Sequence, residues 1–138
     1  MEVTFTKEET IKLIEEYYRR LEEREVTANI TSKKGYTGWM DEEGCVTTII
    51  VSEKMEIVGM KKEVKEIISM EQLNTLFRAL FGLYEFELTS LKIDDGLNSR
   101  WEGYGYNEHE VKSAYCNGII VNVNKKKNHS LKKKPQGN

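Results

Sequence analysis

The sequence predicts an α+β domain: a mostly antiparallel sheet of five to six strands, with two helices packed on one face, in the order α-β-β-β-α-β-β. Two observations lead to it. Two segments open with a capping-box tetrad and continue with apolar residues at three- and four-residue steps, as amphipathic helices do. Between and after them, apolar residues recur at every second position in stretches rich in Val, Ile and Thr, as strands with one buried face do. Strands grouped in runs, rather than alternating singly with helices, place the chain in the α+β class.

The first helix follows Thr6-Lys7-Glu8-Glu9, where the Thr hydroxyl and the Glu carboxylate can each satisfy an amide that has no partner in the helix. Ile11, Ile14, Tyr18 and Leu21 form its apolar face. Glu15, Glu16, Glu22 and Glu23 alternate with Lys12, Arg19 and Arg20 elsewhere, either as a solvated face with i,i+4 pairs or as a partner surface. From Glu25 the period becomes two, with Val26, Ala28 and Ile30 on one side of a strand. Residues 33–44 read as a loop holding Tyr36, Trp39 and the acidic knot Asp41, Glu42 and Glu43. The β pattern resumes over 45–57, and residues 55–68 read as a hairpin turning near 59–62.

Ser69 and Gln72 repeat the capping-box spacing, and Met70, Leu73, Leu76, Phe77, Leu80 and Phe81 form a broad apolar stripe, so the second helix belongs in the core. Gly82 suits the left-handed position that ends a helix. Residues 84–93 read as a strand with Phe86, Leu88 and Leu91 or Ile93 inward. Residues 111–116 read as strand or helical turn, and 118–123 as a compact strand. Apolar content falls away from about Asn124, which predicts a single domain over 1–124 and a flexible basic tail over 125–138.

At 138 residues, with 38% hydrophobic and 32% charged residues, the chain can bury a core without metal or disulfide staples. Its longest apolar runs, at 49–51 and 119–121, fall far short of the roughly 20 residues that a membrane helix needs. The acidic, polar start is unlike a signal peptide, so the expectation is a cytoplasmic protein of a bacterial cell, without membrane contact. Cys45 and Cys116 are too few for a disulfide framework or a zinc site and read as small buried residues. No metal and no cofactor are expected. Charge is unevenly placed: residues 1–124 hold all 23 acids and fifteen bases, a balance of −8, while Lys125, Lys126, Lys127, Lys132, Lys133 and Lys134 give the tail +6. Such asymmetry suits an interaction tail that contacts RNA or DNA, or lysines that only keep an end solvated.

The stretch from Asp94 to Glu110, DDGLNSRWEGYGYNEHE, reads as a polar, aromatic-rich loop carried by strands, the kind of segment that presents function on a rigid scaffold. The nucleotide-loop, zincin, paired-cysteine and serine-elbow motifs are all missing. Asp94, Asp95, Glu108 and His109 are the residues that a divalent-metal ribonuclease would need as ligands and base. Trp101, Tyr104 and Tyr106 beside Arg100 suit stacking on unpaired bases or anchoring a protein interface; alternatively, two of the three could fold inward and cap the sheet. A partner surface built here would also draw on Glu108, Glu110, Asp41, Glu42 and Glu43.

The opening MEVTFTKEETIKLIEEYYRRLEEREV, the middle EVKEIISMEQLNTLFRALFGLYEFEL and the aromatic WEGYGYNEHEVKSAY together resemble small accessory proteins of mobile elements and phages of Gram-positive bacteria, among them type II anti-CRISPR proteins. The resemblance covers most of residues 1–124 as general texture, without a diagnostic motif. It implies a non-catalytic inhibitor that binds an RNA-guided effector nuclease or its guide complex and blocks guide loading or target DNA binding. The alternatives are a metal-dependent ribonuclease acting on guide RNA and a nucleic-acid-binding module using the aromatic loop and the lysine tail. The basic tail departs from a purely acidic DNA mimic.

Overall fold

A computed structural model describes residues 1–37 and 42–126. Over these residues the fold is α+β with two helices, as the sequence predicts, but it opens on a strand and divides six strands between two three-stranded antiparallel sheets. The order is therefore β-α-β-β-β-α-β-β rather than α-β-β-β-α-β-β, and the single sheet is replaced by two.

The added strand, β1 (Glu2–Thr6), turns Val3 and Phe5 inward and Glu2, Thr4 and Thr6 outward. It pairs with the last strand of the described residues, Val3 opposite Val121 and Phe5 opposite Ile119. Thr6 then caps α1 (Lys7–Leu21) with the expected reciprocal bonds: the Glu9 amide donates to Thr6 Oγ1 at 3.0 Å, and the Thr6 amide donates to Glu9 Oε1 at 2.9 Å. Thr10, fully buried, donates its hydroxyl to the Thr6 carbonyl at 2.7 Å, so a polar side chain is accommodated without an unmade bond. Ile14 and Tyr18 bury the inner face of the helix. Past the helix, Arg24 lies over the Tyr18 ring and donates to Glu53 at 3.0 and 2.8 Å, tying the exit of α1 to the second sheet.

That sheet comprises β2 (Thr27–Thr37), β3 (Glu42–Ile57) and β4 (Met60–Ile68), in spatial order β2-β3-β4. Ala28, Ile30, Ile49, Val51 and Ile68 are its buried residues. Val58 and Gly59, with φ of 50° and 79°, make the two-residue turn between β3 and β4 near the expected position. The expected loop over 33–44 is mostly strand: β2 runs on to Thr37 and β3 starts at Glu42. Trp39 and Asp41 lie outside the described residues.

Ser69 caps α2 (Met70–Leu83), accepting from the Gln72 amide at 3.1 Å while its own amide donates to Gln72 Oε1 at 2.8 Å. Ser69→Ala removes one acceptor from the first turn and is expected to cost about 1 kcal/mol in urea unfolding. Leu73, Phe77 and Leu80 are fully buried, and the Phe77 and Phe81 rings stack at 5.9 Å. Gly82 does not end the helix in the left-handed region. Glu85 takes that conformation instead, with φ of 64°, and its carbonyl accepts from the Lys126 amide at 2.9 Å.

The other sheet has the order β1-β6-β5, with β5 (Phe86–Glu102) and β6 (His109–Lys125) each 17 residues long. Leu88, Leu91, Ile93, Ile119, Val121 and Val123 turn toward the core. The ladder shifts register at Leu88/Ser90 and at Asp94/Asp95, and the second irregularity accommodates Asn117. Residues 94–102 and 109–116 are thus one continuous ladder, not a loop, and the choice between strand and helical turn for 111–116 resolves as strand. The last strand continues to Lys125. Among the described residues, no helix is long and apolar enough to cross a membrane.

Candidate partner-binding site

The distal half of the β5–β6 hairpin leaves the apolar core and becomes polar. Its inner face carries Asp95, Leu97, Ser99 and Trp101 on β5, opposite Cys116, Ala114, Lys112 and Glu110 on β6. This face meets β3 along a polar seam. Thr47 Oγ1 donates to Asp95 Oδ2, Thr47 and Ser32 share a hydrogen bond of 2.6 Å, and the Cys45 thiol donates to the Tyr115 carbonyl at 3.6 Å. Hydroxyls and a carboxylate thus take the place of aliphatic packing where the two sheets touch.

One residue pair further out, Glu43 of β3 accepts two cations, Lys112 at 3.3 Å and Lys34 at 3.4 Å. Lys112 first and Lys34 second hold the Glu43 carboxyl below its ordinary value. A carboxylate with a depressed folded-state pKa contributes stability above its unfolded pKa and loses it as pH falls through the folded value. The bridge between the two hairpins therefore weakens on acidification, below the ordinary carboxylate range. Tyr36 is the cross-strand partner of Glu43, and Trp101 stands one same-face step beyond Ser99, the partner of Lys112. The Glu43 bridge thus brings the ends of two hairpins side by side, with an aromatic residue on each.

The tip itself is a tight turn. Gly103 has φ of +95°, and a Cβ there would sit 2.3 Å from the Asn107 carbonyl oxygen, so glycine is required where the chain crosses itself. A 3₁₀ turn, Gly105–Asn107, is closed by the Asn107 amide donating to the Tyr104 carbonyl at 3.0 Å. Trp101 is 66% exposed and Tyr104 92%, and Tyr106 and Tyr36 also stand clear of the surface. None of the three tip aromatics folds inward to cap the sheet. Arg100 is paired with Glu102 at 2.5 Å, and Ser99 donates to Glu110 Oε2. Glu42 and Glu108 make no ion pair among the described residues.

The candidate ribonuclease residues fall into two separate places. Asp94 accepts from Asn117 Nδ2 at 3.3 Å, while Asp95 points to the opposite face and accepts from Thr47. His109 sits opposite Glu102, and its Nδ1–H donates to the Asn107 carbonyl at 2.9 Å. Asp95 and Glu102 are seven residue steps apart along the extended strand, about 23 Å. One metal ion cannot take ligands from both pairs at that separation. Among the described residues, no group of three or more His, Cys, Asp or Glu is placed to hold a metal. Cys116, at the seam, is half-buried and free; burial raises its thiol pKa, keeping it protonated at neutral pH.

Of the tail lysines, Lys125 closes β6 and Lys126 is bonded through its amide to Glu85. Lys127, Lys132, Lys133 and Lys134 lie outside the described residues. Sequence reasoning missed Lys34 and Lys112, which join the hairpins. The signal for Lys34 was the alternation Ser32-Lys34-Tyr36, read instead as part of a loop. Comparison with family models, with curated proteins and with solved structures finds no match for this chain.

Proposed function

We propose that this protein is a non-catalytic binding protein, and that its partner surface is the paired hairpin end carrying Trp101, Tyr104 and Tyr106. The supporting observation is that these three side chains stand exposed at the tip of a hairpin whose two strands are each 17 residues long and anchored in the core. Large exposed aromatics beside an arginine are the residues that dominate binding energy in protein interfaces, and a rigid base lowers the entropy lost on docking. Following the sequence resemblance, the partner is an RNA-guided type II effector nuclease or its guide complex, and the effect is to block guide loading or target DNA binding.

The test is a reconstituted cleavage assay with purified effector, guide RNA and target DNA. The protein added before guide should suppress cleavage, and less suppression after assembly would assign the effect to guide loading. Trp101→Ala, an exposed substitution that leaves the core intact, is expected to weaken inhibition at least tenfold, in line with a hot-spot loss of about 2 kcal/mol. Unchanged cleavage and guide loading across several type II effectors, with the protein in excess, would refute the reading. Trp101-dependent binding to guide RNA alone, falling steeply with salt, would replace the protein partner with a nucleic acid.

A further inference from the structure

We infer that a second copy of this chain docks on the free edge of β4, the two β4 strands pairing antiparallel about a two-fold axis at Val64. Strand β4 ends its sheet: one side pairs with β3, and no strand of the described chain pairs with the other. From Met60 to Ile67 every residue is exposed, and only Ile68 is buried. The backbone of this edge is thus accessible to an added strand.

The backbone restricts how a second copy can pair. Ile57 and Met60 close a two-residue turn, and the pair that closes such a turn exchanges both of its backbone hydrogen bonds. Hydrogen-bonded and non-bonded pairs alternate from there, so the amides and carbonyls of Lys61, Glu63, Lys65 and Ile67 face away from β3. An antiparallel copy must bring these outward groups opposite their own kind, which requires the two-fold axis to pass at a residue rather than between two.

The side chains then select the residue. With the axis at Val64, Lys62 faces Glu66 of the second copy and Glu63 faces its Lys65. By symmetry both pairs occur twice, every glutamate on the strand meets a lysine, and no like charges meet. Moving the axis to Glu63 puts Glu63 against itself and Lys61 against Lys65. Axes at Lys62, Lys65 and Glu66 likewise set like charge on like charge. Within one copy none of these five charged side chains makes an ion pair, so the complementarity is unspent among the described residues. Charged edges ordinarily deter strand addition; here the charges deter every axis from Lys61 to Glu66 except the one at Val64, while axes nearer either end of the strand pair fewer residues.

Apolar surface follows the same geometry. Beyond Ile49 and Val51, the inner face of β3 and β4 continues into Met55, Ile57, Met60 and Val64, all exposed. Pairing at Val64 sets Val64 against its own copy and Met60, 57% exposed, against Ile68. The result is a continuous six-stranded sheet. Its axis is distant from the aromatic end, because the β3–β4 turn and Glu42 stand at opposite ends of β3. The dimer therefore leaves the candidate partner surface free and stands independently of the partner reading.

Sedimentation velocity of the full chain over a concentration series is the experiment, with circular dichroism melts to verify folding. The wild type should show a concentration-dependent dimer. Lys65→Glu should weaken it about tenfold or more, because Glu63 then faces glutamate at both symmetric positions. The double variant Glu63→Lys with Lys65→Glu restores opposite charges and should return the dimer to near wild-type strength. A wild-type chain that stays monomeric throughout the series would overturn the inference. So would a dimer indifferent to Lys65→Glu, or one that the charge swap fails to restore while the melts show folded protein.

Discussion

Gly118→Ala is expected to lower the unfolding free energy by about 3–5 kcal/mol and the melting temperature by about 10–20 °C. Gly118 has φ of +133°, and an added Cβ would lie 1.9 Å from the Phe5 carbonyl oxygen, 2.6 Å from the Thr6 carbonyl carbon and 2.9 Å from the Lys7 amide nitrogen. All three atoms are backbone, so no rotamer change relieves the clash. Relief requires β1 to separate from β6 where Gly118 pairs with Thr6, and Thr6 is also the cap of α1. One methyl group thus strains a ladder and a helix start together. Gly59→Ala is the control: φ is +79° there, but nothing lies within 4 Å of the added atom, so only the conformational cost, about 1 kcal/mol, applies. Thermal and urea unfolding of both variants measure the difference. Equal losses at the two sites would show that close approach at Gly118 is not the governing constraint.

Phe77→Ala is the second large effect, about 3–5 kcal/mol, for a side chain that is 0% exposed. Phe77 stacks on Phe81, and Phe81 meets Phe5 edge-on at 5.8 Å, so the ring links α2 through its neighbour to β1. Truncation removes the transfer energy of the ring and leaves a cavity that its rigid surroundings cannot close. In urea the midpoint should fall while the slope stays near the wild-type value, because the native and unfolded surfaces hardly change. Phe77 belongs to the core and not to the aromatic end, so partner binding by the folded fraction should be unaffected. A loss of binding beyond the loss of folded protein would mean that the core and the tip are coupled.

Both helices were legible in the sequence because each signal is local. Thr6 with Glu9, and Ser69 with Gln72, announce their starts, and the apolar residues that follow repeat within a few positions. Strand β1 was not legible, since Val3 and Phe5 offer one short alternation and their partners Val121 and Ile119 lie at the other end of the chain. The distal halves of β5 and β6 were hidden for a different reason. Their inner positions alternate Leu97, Trp101 and Ala114 with Asp95, Ser99 and Lys112 at a polar seam, so hydrophobic periodicity is broken there. A period of two also fits one sheet or two equally well, and the division between β2-β3-β4 and β1-β6-β5 depends on pairings that no local pattern encodes. The exposed aromatics were legible as large residues in a polar stretch. The Glu43 bridge to Lys112 was not, because it joins strands from different sheets.

The pairing of β1 with β6 imposes an order on synthesis at the ribosome. Strands β2, β3 and β4 are consecutive hairpin partners and can associate as soon as they emerge, with α2 following directly. Val3 and Phe5 emerge long before their partners, and the Met1 carbonyl receives its bond from the Val123 amide only when nearly all of the described chain is out. Until then the first strand has no ladder, and the inner edge of its sheet is an unfilled place. Contacts between distant parts of the sequence close late because the intervening loop must first lose its freedom. The nascent protein therefore carries a finished three-stranded sheet beside an unfinished one, and the second sheet is sealed only when β6 arrives.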